Sequence, residues 1–219
     1  LAEGGAGPFE ISVCDVTRES IPDVSGFSGV IVTGSTSAVY RHEPWMAPLT
    51  GFLREAPHAP ILCVCFGSQL LAQACGGRVV RNPSGWEIGA VEVALTPQAT
   101  DDPLFGSTAG RSLMVLQTHE DRIEQLPPGA VPLAGNEAVP IQAFRLGNLV
   151  WGVQFHPEIA TGALARLISL RARLLEQDAR EHGRPVDGCV DRLLATLESP
   201  GAGEGRRILD AFARFCLTG

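Results

Sequence analysis

An α/β fold with a mostly parallel central sheet is what this 219-residue sequence predicts, and three observations carry the prediction. Short apolar runs alternate with helical spacing from Phe9 to Cys75, the pattern of βαβ units. A composition of 45% hydrophobic and 19% charged residues supports one domain over 1–219 with a substantial core. Past Glu158 the character turns helical, so extra C-terminal helices over about 162–219 are expected beyond a core of about 9–160.

The elements follow in order. After a loose opening, Leu1 to Pro8, the β-prone run Phe9 to Val16 predicts a strand, and Gly29 to Thr33 a second, fully buried one. Helical spacing covers Trp45 to Glu55. The apolar run Ile61–Val64 reads as a strand and Gln69 to Cys75 as a helix, closed by Gly76-Gly77 in the manner of a C-cap. Short strands are then expected at Ala90–Leu95, Leu113–Leu116 and Val131–Ala134. Ile141–Arg145 and Leu149–Phe155, joined at Gly147-Asn148, read as a hairpin. Helices are expected over Ala163–Glu181, Val190–Glu198 and Arg206–Leu217. The stripe Leu164, Leu167, Ile168, Arg171 and Leu174-Leu175 is read as packing.

Composition narrows the function. A net charge of −7 argues against a nucleic-acid surface, which needs clustered basic residues. No apolar run approaches the roughly 20 residues that cross a bilayer, so no membrane role is expected. Six cysteines, at 14, 63, 65, 75, 189 and 216, show no disulfide-framework spacing, which fits a reducing cytoplasm. Neither Cys63 nor Cys65 has a second Cys/His pair at finger-like spacing, so no metal site is expected. No phosphate-binding glycine loop is present either, and no cofactor is implied.

Chemistry enters at Cys63-Val64-Cys65-Phe66-Gly67-Ser68, where an apolar strand runs straight into a helix. Such a turn presents its central side chain and aims the next backbone N–H, that of Phe66, toward an oxyanion. The helix start also favours a thiolate at Cys65. A base is available in Gln154-Phe155-His156-Pro157-Glu158. Side chains two apart on extended chain share a face, so Glu158 can orient His156, and Cys65, His156 and Glu158 make a nucleophile, base and acid. Read singly, Cys65 is a buried thiol, His156 a core histidine and Glu158 a solvated helix-start residue.

These motifs resemble class I glutamine amidotransferases, marked by a Gly-x-Cys-x-Gly elbow followed by glutamine and by His-Pro-Glu. Here they stand as Cys63-Val64-Cys65-Phe66-Gly67, Gln69 and His156-Pro157-Glu158, with weaker marks at Val30-Ile31-Val32-Thr33-Gly34-Ser35, Glu87-Ile88-Gly89 and Thr118-His119-Glu120-Asp121. The last is similar to the amidotransferase domain of GMP synthase and its stand-alone relatives. Cys63 replaces the usual glycine and brings a Cβ into the tight turn, and Ser68 stands where histidine or methionine is usual; neither departure touches Cys65, His156 or Glu158.

The resemblance implies a flavodoxin-like three-layer sandwich and hydrolysis of glutamine through a γ-glutamyl thioester, with ammonia passed to a synthetase or acceptor subunit. It implies an oxyanion hole at Phe66 and near Gly34-Ser35, and substrate contacts at Gln69 and along Thr118-His119. Each contact has a rival, Gln69 as a helix cap and His119 as a surface histidine; Asp121 pairs with a synthase partner or starts a helix, and Trp86-Glu87 reads as a packed corner rather than a reactive site. A γ-glutamyl peptide hydrolase with the same triad, and a non-catalytic binding module, are the alternative functions. The family usually opens with a strand and helix ahead of Phe9, so an additional N-terminal strand is expected if longer sequence exists.

Overall fold

Alternation along one buried run decides the layering. Of the strand Ile61–Val64, Ile61 and Cys63 face a core shared with Leu70 and Leu71, while Leu62 and Val64 face another shared with Ile208 and Phe212. This computed structural model describes residues 9–55, 59–108, 110 and 112–218; the opening Leu1 to Pro8 lies outside them. Its strands are β1 (Val30–Val32), β2 (Ile61–Val64), β3 (Arg78–Arg81), β4 (Glu87–Leu95), β5 (Ser112–His119), β6 (Asp121–Gln125), β7 (Val131–Gly135), β8 (Ala143–Leu146) and β9 (Val150–Val153). Its helices are α1 (Met46–Arg54), α2 (Phe66–Ala74), α3 (Thr161–Leu170), α4 (Ala172–Glu181), α5 (Cys189–Thr196) and α6 (Arg206–Thr218).

The main sheet runs β1-β2-β9-β8-β7-β4-β5, and β3 pairs with β6 in a separate ribbon. One face carries α6, which packs Ile208, Ala211 and Phe212 beside Trp151 and Phe155. The other carries α1 and α2 over β2 and β9, and α3 to α5 over β4 and β5. These are the three layers of an α/β sandwich, with the expected helices beyond residue 160. Parallel pairing is concentrated in β1, β2 and β9; the ladders from β9 through β8, β7 and β4 to β5 are antiparallel. Crossover connections are needed for parallel neighbours, whereas β8 and β9 are joined by a hairpin turn at Gly147, whose φ is 63°.

Four expectations are corrected. Phe9 to Val16 forms no strand: among the described residues no neighbour takes up its backbone in a ladder, and Ile11 and Val13 are exposed, so β-prone composition alone does not suffice. β1 is not fully buried, because it ends the sheet and leaves Ile31 43% exposed. The helix expected over Ala163–Glu181 breaks at Arg171, whose φ of −97° and ψ of 10° redirect α4. That turn brings Leu175 back to the cluster of Leu164 and Ile168, so the stripe does pack, although Leu174 stays exposed. Asp121 starts a strand, β6, rather than a helix.

The end of α2 bears out the glycine reading in full. Gly77 N–H donates to Ala72 O at 2.7 Å and Gly76 N–H to Gln73 O at 3.3 Å, with Gly76 at φ 94°. This pair of bonds satisfies the last carbonyls of the helix. α2 is thereby closed at its C-terminal end.

Candidate active site

The strand β2 hands over to α2 in a single residue. Cys65 N–H continues the β2–β9 ladder by donating to Val153 O at 2.8 Å, and the next residue, Phe66, already begins the helix. The turn forces Cys65 to φ 49° and ψ −106°. A non-glycine residue there costs on the order of 1–3 kcal/mol and persists only when its surroundings over-determine it. Gly67 is one such constraint: a Cβ at that position would lie 2.4 Å from Val32 O. Ser68 is another, its Oγ donating to Cys65 O at 2.8 Å.

Cys63 does not obstruct this turn. Its side chain points to the opposite face of the sheet from Cys65, into the α1–α2 core, where burial pushes its thiol far up and Cys75 adds to the effect. The two thiols therefore face away from each other. Among the described residues no three His, Cys, Asp or Glu side chains are grouped to hold a metal ion.

His156 lies just past β9, anchored by its own N–H to Leu116 O at 2.9 Å. Its Nδ1 is 2.7 Å from Glu158 Oε1. A carboxylate accepts there, so Nδ1 carries hydrogen and Nε2 is left for another partner. Among the described residues Nε2 is buried with no hydrogen-bond partner within range, and so is Glu158 Oε2. Gly34 brings the two halves into one place: a Cβ on it would be 3.2 Å from His156 Cε1 and 3.6 Å from Cys65 Cβ. Burial alone would lower the proton affinity of His156, but interaction with Cys65, then with Glu158, outweighs it and raises the pKa to about 10.

The remaining expected residues fall into place unequally. Phe66 is the first residue of α2, so its N–H has no acceptor within the helix and lies beside Cys65. Gly34 borders the side chains of both Cys65 and His156, while Ser35 is exposed and its Oγ accepts from Ser37 N–H at 3.1 Å. Gln69 does not cap its helix; its Nε2 donates to Asp121 O at 3.0 Å and to Gln154 Oε1 at 3.1 Å. Thr118 Oγ1 accepts from Arg171 Nη1 at 3.1 Å, and that guanidinium lies 5.0 Å from the Trp86 ring centroid. Tyr40 O–H donates to Asp121 Oδ1 at 3.0 Å, tying the segment that follows Gly34-Ser35 to β6.

His119 is no surface histidine. It is buried, with Nε2 2.7 Å from Glu87 Oε2 and Nδ1 2.9 Å from Asp121 O. Glu87 stands directly opposite it in the β4–β5 ladder and also accepts from Asn136 and Gln142. Trp86-Glu87 is thus a packed corner with a charged centre. Burial would raise the Glu87 carboxyl, but the His119 hydrogen bond and charge, then Asn136 and Gln142, hold it below its ordinary value.

Gln154 was not among the expected site residues, yet its Nε2 is 3.6 Å from Cys65 Sγ. The signal was available: it precedes His156 by two positions, and extended chain puts such residues on one face. Glu87 and Gln142 offered no such pattern, since the network depends on strand register.

An α/β sheet that presents a strained cysteine at a strand-to-helix turn, beside a histidine held by a carboxylate, defines a domain of the nucleophile-elbow type. The family model for glutamine amidotransferase class-I matches residues 8–169. Similar proteins include γ-glutamyl peptidase 5 of Arabidopsis thaliana, 27% identical over 71% of this chain. A glutamine-hydrolyzing GMP synthase subunit of Thermococcus kodakarensis is 34% identical over 62% of this chain. In both cases the match spans 64% of the relative's own length. The solved glutamine amido transferase of Methylobacillus flagellatus aligns with a TM-score of 0.70 and 27% identity, covering 89% of this chain and 78% of that one. The chain belongs to the class-I glutamine amidotransferase family.

Proposed function

We propose that this protein hydrolyses the side-chain amide of glutamine through Cys65, His156 and Glu158, releasing glutamate and ammonia for a separate synthase or acceptor subunit. The observation that carries the reading is the meeting of Cys65 and His156 at Gly34. Cys65 attacks the amide carbon as a thiolate, its proton held by His156, which then delivers that proton to the departing ammonia. A γ-glutamyl thioester remains, and water deprotonated by His156 releases glutamate. Phe66 N–H and an N–H near Gly34-Ser35 hold the oxyanion, each worth on the order of 3 kcal/mol in the barrier.

The catalytic core is about 9–160, with the helices of about 162–219 closing the sheet's faces. Gln69 contacts the substrate glutamine, and the backbone at Thr118-His119 holds its amino-acid end. Because Gln69 Nε2 is already engaged, the Gln69 contact runs through its Oε1. A second reading is favoured by the similarity to γ-glutamyl peptidase 5: the same triad cleaves γ-glutamyl peptides.

Purified protein incubated separately with glutamine and with a γ-glutamyl dipeptide, scored for glutamate release against Cys65→Ser, separates the two. Faster turnover of the dipeptide replaces the first reading with the second. If neither is turned over and a glutamine-like chloroketone fails to label Cys65, a binding module is left.

A further inference from the structure

We propose that Gln154 is an additional contact group of the nucleophile, its side-chain amide donating to Cys65 Sγ in a direction imposed by a chain of hydrogen bonds that starts at a backbone carbonyl. The inference builds on the reading of Cys65 as nucleophile. It adds a residue that the triad does not include.

The direction follows from what each atom can do. Asp121 O is a carbonyl oxygen and can only accept. The Gln69 atom 3.0 Å from it is therefore the amide nitrogen, which settles an orientation that shape alone leaves open. The same nitrogen is 3.1 Å from Gln154, so the Gln154 atom facing it is its oxygen. The remaining terminal atom of Gln154 is then NH2, and it stands 3.6 Å from Cys65 Sγ, a normal reach for a sulfur acceptor.

Asp121 O is itself fixed from the other side, since His119 Nδ1 lies 2.9 Å from it and His119 is braced by Glu87. Both Gln69 and Gln154 are buried. Neither amide is free to turn over without stranding a polar atom away from water. Gln154 N–H also donates to Gln142 O at 2.8 Å, which pins the backbone beneath the side chain. The sulfur therefore meets a donor from the end of β9 on one side, while His156 belongs to the same stretch of chain two residues on. A donor is of use here only to a sulfur carrying negative charge, because hydrogen bonds to charged groups are the strong ones.

The test reads Cys65 directly, without substrate. Alkylation by iodoacetamide at neutral pH, followed at each cysteine by mass spectrometry, gives the reactivity of Cys65 in wild type, Gln154→Met and Gln154→Glu. Methionine keeps the volume and removes the donor; its Cys65 is expected to react about tenfold more slowly, the equivalent of one hydrogen bond to a charged group. Glutamate places a carboxylate at the sulfur and is expected to slow it further. A folded Gln154→Met protein whose Cys65 reacts at the wild-type rate overturns the proposal.

Should the variants not fold, wild-type protein labelled with ¹⁵N serves. The Gln154 side-chain NH2 resonances are expected to move on alkylation of Cys65 more than those of Gln98 or Gln177, and equal displacement overturns the proposal. Failure of the underlying reading has a different signature, because the wild-type Cys65 would then react no faster than the half-buried loop thiol Cys14.

Discussion

His156 and Glu158 are joined through Nδ1 and Oε1 at 2.7 Å across a single proline. The carboxylate fixes which nitrogen bears hydrogen and turns Nε2 away from itself. On the proposed mechanism, removing the ring removes the proton carrier, whereas removing the carboxylate leaves the carrier free to wander. His156→Ala is therefore expected to lower turnover by about 10²–10⁴-fold, and Glu158→Ala by at least about tenfold less. Steady-state hydrolysis of glutamine by the two variants checks the order; equal and total loss in both would contradict the orienting role.

Two glycines at the site are expected to fail differently. A Cβ on Gly67 would meet backbone, Val32 O at 2.4 Å, so β1 and α2 must separate for Gly67→Ala to fold. Overpacking of this kind costs about 1–3 kcal/mol. A Cβ on Gly34 would press on side chains alone, the His156 ring edge at 3.2 Å, with Cys65 Cβ in ordinary contact at 3.6 Å. Gly34→Ala is expected to keep its melting temperature but to lose activity by roughly tenfold or more, since small misplacements of a reacting group are costly. Calorimetry and turnover measured side by side decide it: a Gly34→Ala protein as active as wild type would show that the imidazole position is not critical.

Alkali should loosen the site through its histidine. His156 is raised from 6.5 to about 10 by Cys65 and Glu158. A group with a raised folded value contributes stability that is fully present below its unfolded value and is lost as pH rises through the folded one. The window therefore runs from about 6.5 to about 10. Melting temperatures across that range should fall in wild type and fall less in Cys65→Ala, which lacks the first-named partner. A parallel decline in both proteins would assign the loss to other groups.

The layout of the site was readable wherever it follows from local pattern. Cys65 at a strand-to-helix junction, His156 and Glu158 on one face, and the Gly76-Gly77 cap each depend on neighbours in sequence, and each is present. What escaped the reading depends on partners far away along the chain. Phe9 to Val16 has strand composition but no adjacent strand among the described residues to pair with. Glu87, read as a packed corner, becomes the centre of a polar cluster only because β4 and β5 pair in the register that sets it opposite His119. Gln154 lies between these cases: its face was predictable, whereas its contact with Cys65 depended on Gln69 reaching it from α2.

That register puts Glu87 at the centre of a buried polar cluster. It accepts hydrogen bonds from Asn136 and Gln142 and pairs with His119, whose other nitrogen supports the carbonyl of Asp121. The same carbonyl holds Gln69. Breaking a buried pair by removing one partner typically costs about 3–5 kcal/mol, because the other is left uncompensated. Glu87→Leu is expected to lose stability on that scale, and Glu87→Gln less, since it keeps the shape. The folded Glu87 value is lowered, so its contribution is present above about 4.5 and is lost as pH falls below that. Denaturant midpoints at neutral pH and near pH 4 should therefore differ less in Glu87→Gln than in wild type. If the variant loses activity in proportion to its stability alone, the network only holds the fold; if Glu87→Gln remains fully folded and still turns over glutamine more slowly, the disturbance has travelled through Asp121 to Gln69, the proposed substrate contact on α2.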